Sequence, residues 1–182
     1  VFVGLDPNRR VRAATKRSID PAELVQKRDF LGTDKRYAPI LPGNPRSVWI
    51  VEGGVDALAL HDLAKMRNQE PPTVIVSGGS NVRGFLEMPH IRDMLERADR
   101  ITIAAEREKS KEVQAKTDAQ RKKLEEELER LTRKKPTIWT PPHGVKDMAE
   151  YHSIEQTKLE AAPAENPDNG LQGAGPAPAM PA

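Results

Sequence analysis

From residue 47 onward, short apolar runs alternate with stretches of helical spacing. Val48-Trp49-Ile50-Val51 is a continuous apolar run of strand length, as expected of a strand covered on both faces. Glu52 and the pair Gly53-Gly54 follow it. Val55, Leu58, Ala59, Leu63 and Met66 then recur at helical spacing. The pattern predicts a strand over 47–52 and a helix over 55–67. Pro71-Pro72 precedes a strand over 73–76, which leads into Ser77-Gly78-Gly79-Ser80. A helix over 89–98 places Ile91, Met94 and Leu95 on one face. A third strand over 101–105 runs into Glu106-Arg107-Glu108, and a long helix covers about 108–134. A fourth strand spans 137–139, and a last helix starts near Asp147. Strands alternating with helices predict an α/β fold of Rossmann type: a central, mostly parallel four-stranded sheet flanked by helices.

The first 45 residues break that rhythm. Val1-Phe2-Val3 and Val11 to Thr15 flank Asp6-Pro7-Asn8, which predicts a small β-hairpin. Asp20-Pro21-Ala22-Glu23 has the form of a capped helix start. Residues 29–46, with Gly32, Pro39, Pro42, Gly43 and Pro45, predict a loop. The organisation expected is therefore a basic hairpin segment over 1–45, the end of an upstream domain, then one α/β domain over 46–160. The Pro/Ala/Gly tail over 161–182 lacks the apolar residues that offset ordering entropy, and disorder is expected there. The chain opens on Val1 in a strand-like run, which suggests a piece of a longer polypeptide.

Composition changes this picture in a few places. Charged residues make up 31% and hydrophobic residues 37%, so the core is modest and much of the long helix must be solvated. Leu124, Leu128 and Leu131 give that helix one narrow apolar stripe, and its first half is expected to project beyond the sheet. The formal net charge is only +2, but residues 1–47 carry ten basic against five acidic side chains. Arg9, Arg10, Arg12, Lys16 and Arg17 concentrate that excess, making the segment a candidate phosphate-binding surface. The chain has no cysteine, which excludes disulfides, thiolate zinc sites and thiol nucleophiles and fits a reducing compartment. No apolar run approaches the roughly 18 residues of a membrane span, and no signal peptide is visible, so a cytoplasmic location with no membrane partner is expected. His61, His90, His143 and His152 show no ligand spacing. Trp49 and Trp139 fall in strands and are expected in the core.

In a parallel sheet all carboxyl ends lie on one edge, where ligands collect. Glu52, Glu106, Glu108 and Asp147 are therefore expected to converge. Clustered carboxylates repel one another unless a hard cation neutralises them, and Mg²⁺ prefers such oxygen ligands. A cation so held can position a phosphate and stabilise phosphoryl transfer. Gly53, Gly78, Gly79 and Ser80 could cradle a phosphate with backbone N–H groups.

The order strand-Glu-Gly-x-x-Asp-Ala, strand-Ser-Gly-Gly, strand-acid-x-acid, strand-Pro-x-x-Gly-x-Lys-Asp resembles the Toprim (topoisomerase-primase) domain over about residues 46–152. Val51-Glu52-Gly53-Gly54-Val55-Asp56-Ala57-Leu58-Ala59-Leu60 is its most specific part. The resemblance is to the primase-like modules of plasmid replication and mobilisation proteins. It implies a Mg²⁺-dependent (or Mn²⁺-dependent) activity on DNA or nucleotides. Glu52 would be the general acid/base or a metal ligand, Glu106 and Glu108 the metal ligands, and Asp56 and Asp147 additional acids. Here two glutamates stand where the family usually has aspartates, which adds a methylene to each ligand. The alternative is therefore a degenerate, non-catalytic module that binds nucleic acid or a protein partner.

Overall fold

The computed structural model describes residues 1–18, 27–79 and 83–161. The Asp20–Glu23 helix start, Ser80 and the tail after residue 161 lie outside the described residues. The chain is a mixed α/β structure with a sheet flanked by helices. Strands β4 (Ile40–Leu41), β5 (Asn44–Val51), β6 (Pro72–Val76), β7 (Arg100–Ala104) and β8 (Thr137–Trp139) form one sheet in the order β4-β6-β5-β7-β8. The last four pair in parallel, and β4 pairs antiparallel with β6.

Helices α1 (Gly54–Met66), α2 (Pro89–Arg97), α3 (Lys111–Thr132) and α4 (Met148–Ala161) cover the two faces. The alternation of side chains along β5 sorts them. Val48 and Ile50 pack with Ile75, Ile101 and Ile103 against Ile91 and Leu95 of α2 and Leu124 and Leu128 of α3. Trp49 and Val51 pack with Val74 and Val76 against Ala57, Leu60 and Leu63 of α1 and Met148 of α4. Both faces of β5 are thus buried, which explains its unbroken apolar run. Trp49 is buried and stacks obliquely on Trp139, whose ring meets Tyr151 of α4. The buried stripe of α1 runs through Ala57, Leu60, Leu63 and Ala64, while Leu58 is half exposed.

Three features differ from the expectation. The sheet has five strands, not four, because Ile40–Leu41 closes the edge of β6 and Val76 N–H donates to Pro39 O at 2.9 Å. The first segment is more than a hairpin. Strands β1 (Phe2–Leu5), β2 (Val11–Arg17) and β3 (Lys27–Asp29) make a three-stranded antiparallel sheet. The expected loop over 29–46 therefore contains strand residues at both ends, in runs of two or three residues too short to show a period. The expected turn does form: Asp6 Oδ1 accepts from the N–H groups of Asn8 and Arg10, both at 2.9 Å, and Arg9 sits at a φ of 62°.

The small sheet bears directly on the carboxyl edge of the large one. A Cβ on Gly54 would collide with the Phe2 ring, and a Cβ on Gly4 would collide with the Tyr37 carbonyl. Gly54 opens α1 without a positive φ, so what the glycine supplies there is space rather than an unusual backbone angle. Gly54→Ala is expected to push Phe2 off the turn and cost about 1–3 kcal/mol, read as a lower urea midpoint with an unchanged m-value.

Candidate functional site

Strand β5 ends at Val51, so Glu52 is the first residue beyond the sheet. Its carbonyl accepts from Gly78 N–H at 3.0 Å, and the Val51 carbonyl accepts from Ser77 N–H at 2.9 Å. These bonds continue the β5–β6 pairing past the strand ends. The Gly78 amide is thus engaged with Glu52, and its φ of 78° suits glycine alone. The buried Ser77 hydroxyl lies 3.2 Å from the Val51 carbonyl and 3.3 Å from that of Gly79. Gly53 is the N-cap of α1, in extended conformation.

On the other side of β5, strand β7 ends at Ala104. Ala105 N–H donates to Trp139 O and Arg107 N–H to Lys146 O, both at 2.8 Å. Glu106 lies between these anchors. Gln114, in the first turn of α3, fixes the same loop: its Oε1 accepts from Glu108 N–H at 2.7 Å and its Nε2 donates to Glu106 O at 3.3 Å. Glu52 and Glu106 consequently line one cleft with Ser77 and Gly79, floored by Ile50, Ile103 and Leu124. Its empty volume is about 480 Å³, counting solvent at the mouth.

Electrostatics mark Glu106. Burial, then the charge of Glu52, then that of Asp56, push its carboxyl up from 4.5 to about 7; Lys146 pulls the other way and Asp147 adds to the rise. Three of the other acids singled out in the sequence, Glu52, Asp56 and Asp147, therefore stand within electrostatic reach of Glu106. Glu108 does not line this cleft. It lines a separate concavity with Arg107, Lys109, Lys146, Asp147 and Glu150. The strand alternation ends at Ala104, and Gln114 then turns the chain toward α3.

Asp56 and Asp147 have local duties. Asp56 is 9% exposed, and its Oδ1 accepts from Ala149 N–H at 3.1 Å. The Gly53 N–H also favours its charged form, while burial first and Asp147 second raise its pKa. It thus bonds the N-terminal ends of both α1 and α4. Asp147 caps α4, accepting from Glu150 N–H at 2.9 Å, and Lys146 Nζ lies 3.7 Å from its carboxylate. Asp147-Met148-Ala149-Glu150 is a capping sequence.

Arg9, Arg10, Arg12, Lys16 and Arg17 are exposed on the small sheet. The Arg12 guanidinium lies 5.3 Å from the Tyr37 ring centroid. Among the histidines, His61 is half-buried and bonded to Pro72 O at 2.8 Å.

Thr117 and Arg121 of α3 also line the cleft, and neither stood out in the sequence. The signal was the spacing 117, 121, 124, 128, which continues the leucine stripe toward the N-terminus with polar residues. Among the described residues no group of three or more His, Asp or Glu is arranged to hold a metal ion. The anionic donors that line the cleft are the carboxylates of Glu52 and Glu106. This chemistry fits a hard divalent cation of the kind that takes one or two carboxylates and completes its shell with water and phosphate oxygens. No family model, curated protein or solved structure matches the chain. Among the described residues no helix is long and apolar enough to cross a membrane.

Proposed function

We propose that the chain is a Toprim-fold DNA-processing domain. It would be the primase-like part of a plasmid replication or mobilisation protein, working in the cytoplasm with other domains of a larger polypeptide. One observation carries this reading. Glu52 and Glu106, from the carboxyl ends of the neighbouring parallel strands β5 and β7, share one cleft, and burial together with the charge of Glu52 raises the carboxyl of Glu106. The order of motifs along the chain supports it.

Glu52 and Glu106 would hold Mg²⁺, or Mn²⁺ in its place, and the bound cation would neutralise phosphate oxygens during transfer. In the alternative role that the resemblance implies, Glu52 would leave the cation to Glu106 and would move a proton at the attacking or leaving oxygen. Lys146 adds positive charge on the Glu106 side. The apolar floor of the cleft lowers the local dielectric beneath these charges and strengthens their interaction. The basic residues of β2 and the Asp6–Arg10 turn hold the nucleic-acid backbone.

The test combines single-stranded DNA, nucleoside triphosphates and Mg²⁺, and measures primer synthesis and strand cleavage. Mg²⁺-dependent product is expected, reduced about 10²–10⁴-fold by Glu52→Gln. Product that survives chelation, or that Glu52→Gln leaves unchanged, would contradict the reading. The placement of Glu108 outside the cleft favours a second reading, a non-catalytic module that binds nucleic acid. That reading predicts no turnover by wild type but DNA binding that weakens steeply with salt.

A further inference from the structure

The inward face of α3 changes character where the helix passes the carboxyl edge of the sheet. Leu128 and Leu124 sit in the core. Going toward the N-terminus, the same face presents Arg121, Thr117 and Gln114. Gln114 clamps the Glu106–Glu108 loop. Thr117 and Arg121 line the same cleft as the two carboxylates. A leucine at 121 would continue the stripe and fill this space at no electrostatic cost. The chain places a guanidinium there instead, with only 26% of its side chain exposed.

The partners of that guanidinium do not satisfy it. Asp118, on its own helix, accepts from one terminal nitrogen at 2.8 Å. Asp118 is shared, because Gln114 Nε2 also donates to it at 3.1 Å. Glu125 lies 3.5 Å from Nε, a charge contact without hydrogen-bond geometry. Among the described residues Arg121 Nε is closed off from solvent and has no hydrogen-bond partner. A buried N–H left without an acceptor is costly, and here the cost falls on a side chain that also lines the cleft.

We propose that Arg121, assisted by Thr117, is a phosphate-ester recognition subsite on the α3 wall of the cleft. This rests on the reading of the Glu52–Glu106 wall as a cation site and names what completes it. A guanidinium presents a planar fork whose terminal nitrogens can meet two phosphate oxygens. The Thr117 hydroxyl supplies a further donor. A phosphate has oxygens enough to meet Arg121 on one side and a cation on the other, so it can bridge the cleft. A lone carboxylate ligand would have to crowd against Glu52 and Glu106. The apolar floor of Ile50, Ile103 and Leu124 strengthens the charge pairing. A nucleic-acid phosphodiester and a nucleoside triphosphate offer the same chemistry.

The experiment separates this subsite from the cation. In Glu52→Gln/Glu106→Gln protein with EDTA, the cleft carries no repelling carboxylates and needs no metal. Binding of dTTP by calorimetry and of a fluorescent oligothymidylate by anisotropy is measured there, with and without Arg121→Ala. Arg121→Ala is expected to weaken at least one probe about tenfold or more. The probe that responds identifies the source of the phosphate. Arg121→Lys is expected to retain part of the affinity. Asp118→Asn releases the guanidinium and is expected to tighten the same probe by about twofold to fivefold, a gain that a misfolded protein cannot produce. Affinities for both probes that are unchanged by Arg121→Ala, or an Asp118→Asn variant that gains nothing, would overturn the proposal. If Mg²⁺ fails to tighten either probe on wild type while Arg121→Ala still weakens binding in EDTA, the cation reading falls and the phosphate subsite stands.

Discussion

Glu106→Gln is expected to raise thermal stability at pH 8 while abolishing divalent-cation binding. The carboxyl of Glu106 titrates near 7 in the folded chain against an ordinary 4.5, because burial and Glu52 disfavour its charge. Between those two values the folded state binds more protons than the unfolded state. Stability therefore falls as pH rises from about 4.5 to about 7. Below that window the acid is neutral in both states and contributes no difference. Discounted for the solvent that reaches the cleft mouth, the cost of the charge at pH 8 is about 1–2 kcal/mol. Glutamine keeps the shape and removes the charge. The variant should melt about 2–6 °C above wild type at pH 8 and together with it at pH 4. Melts at pH 4, 6 and 8 check this, and a difference that ignores pH would refute the electrostatic account. Added Mg²⁺ should raise the melting temperature of wild type and leave that of Glu106→Gln unmoved.

Asp56→Ala is expected to be among the most destabilising substitutions at this edge, although Asp56 has the look of a site acid in the sequence. Its carboxylate joins the start of α1 to the start of α4 through Ala149 N–H and the neighbouring Gly53 N–H. Alanine would leave both donors without that acceptor, at about 1–3 kcal/mol for each buried group, so a loss of about 2–4 kcal/mol follows. Asp56→Asn retains an oxygen for Ala149 and removes the repulsion from Asp147, so its loss should be near 1 kcal/mol. Urea unfolding of the two variants separates this role from a purely catalytic one. A catalytic acid would lose activity in both variants with stability unchanged.

Much of the fold is legible in the chain because β5 is buried on both faces and β6, β7 and β8 follow the same βα rhythm. The parallel-sheet rule then brings Glu52 and Glu106 to one edge. The rest escapes for identifiable reasons. Ile40–Leu41 and Lys27–Asp29 are strands only through their neighbours, since two or three residues carry no period. Glu108 leaves the cleft because Gln114 captures its backbone N–H, a contact between loop and helix that spacing does not encode. Asp147 carries a capping signature in Asp147-Met148-Ala149-Glu150, but its place in a run of acids suggested chemistry first. Gly54 is explained by the Phe2 ring, 52 positions away in sequence. Arg121 is hidden by its setting. In a helix this charged, a single arginine reads as solvent-facing until the sheet edge beneath it is known.

The central claim is that Glu52 and Glu106 hold one divalent cation between them. Titrating the chain with Mn²⁺ at pH 7.5, and following free Mn²⁺ by electron paramagnetic resonance, tests it most directly. The account predicts one Mn²⁺ per chain, displaced by excess Mg²⁺ and lost in both Glu52→Gln and Glu106→Gln. No binding by wild type, or the same stoichiometry and affinity in both variants, would contradict it.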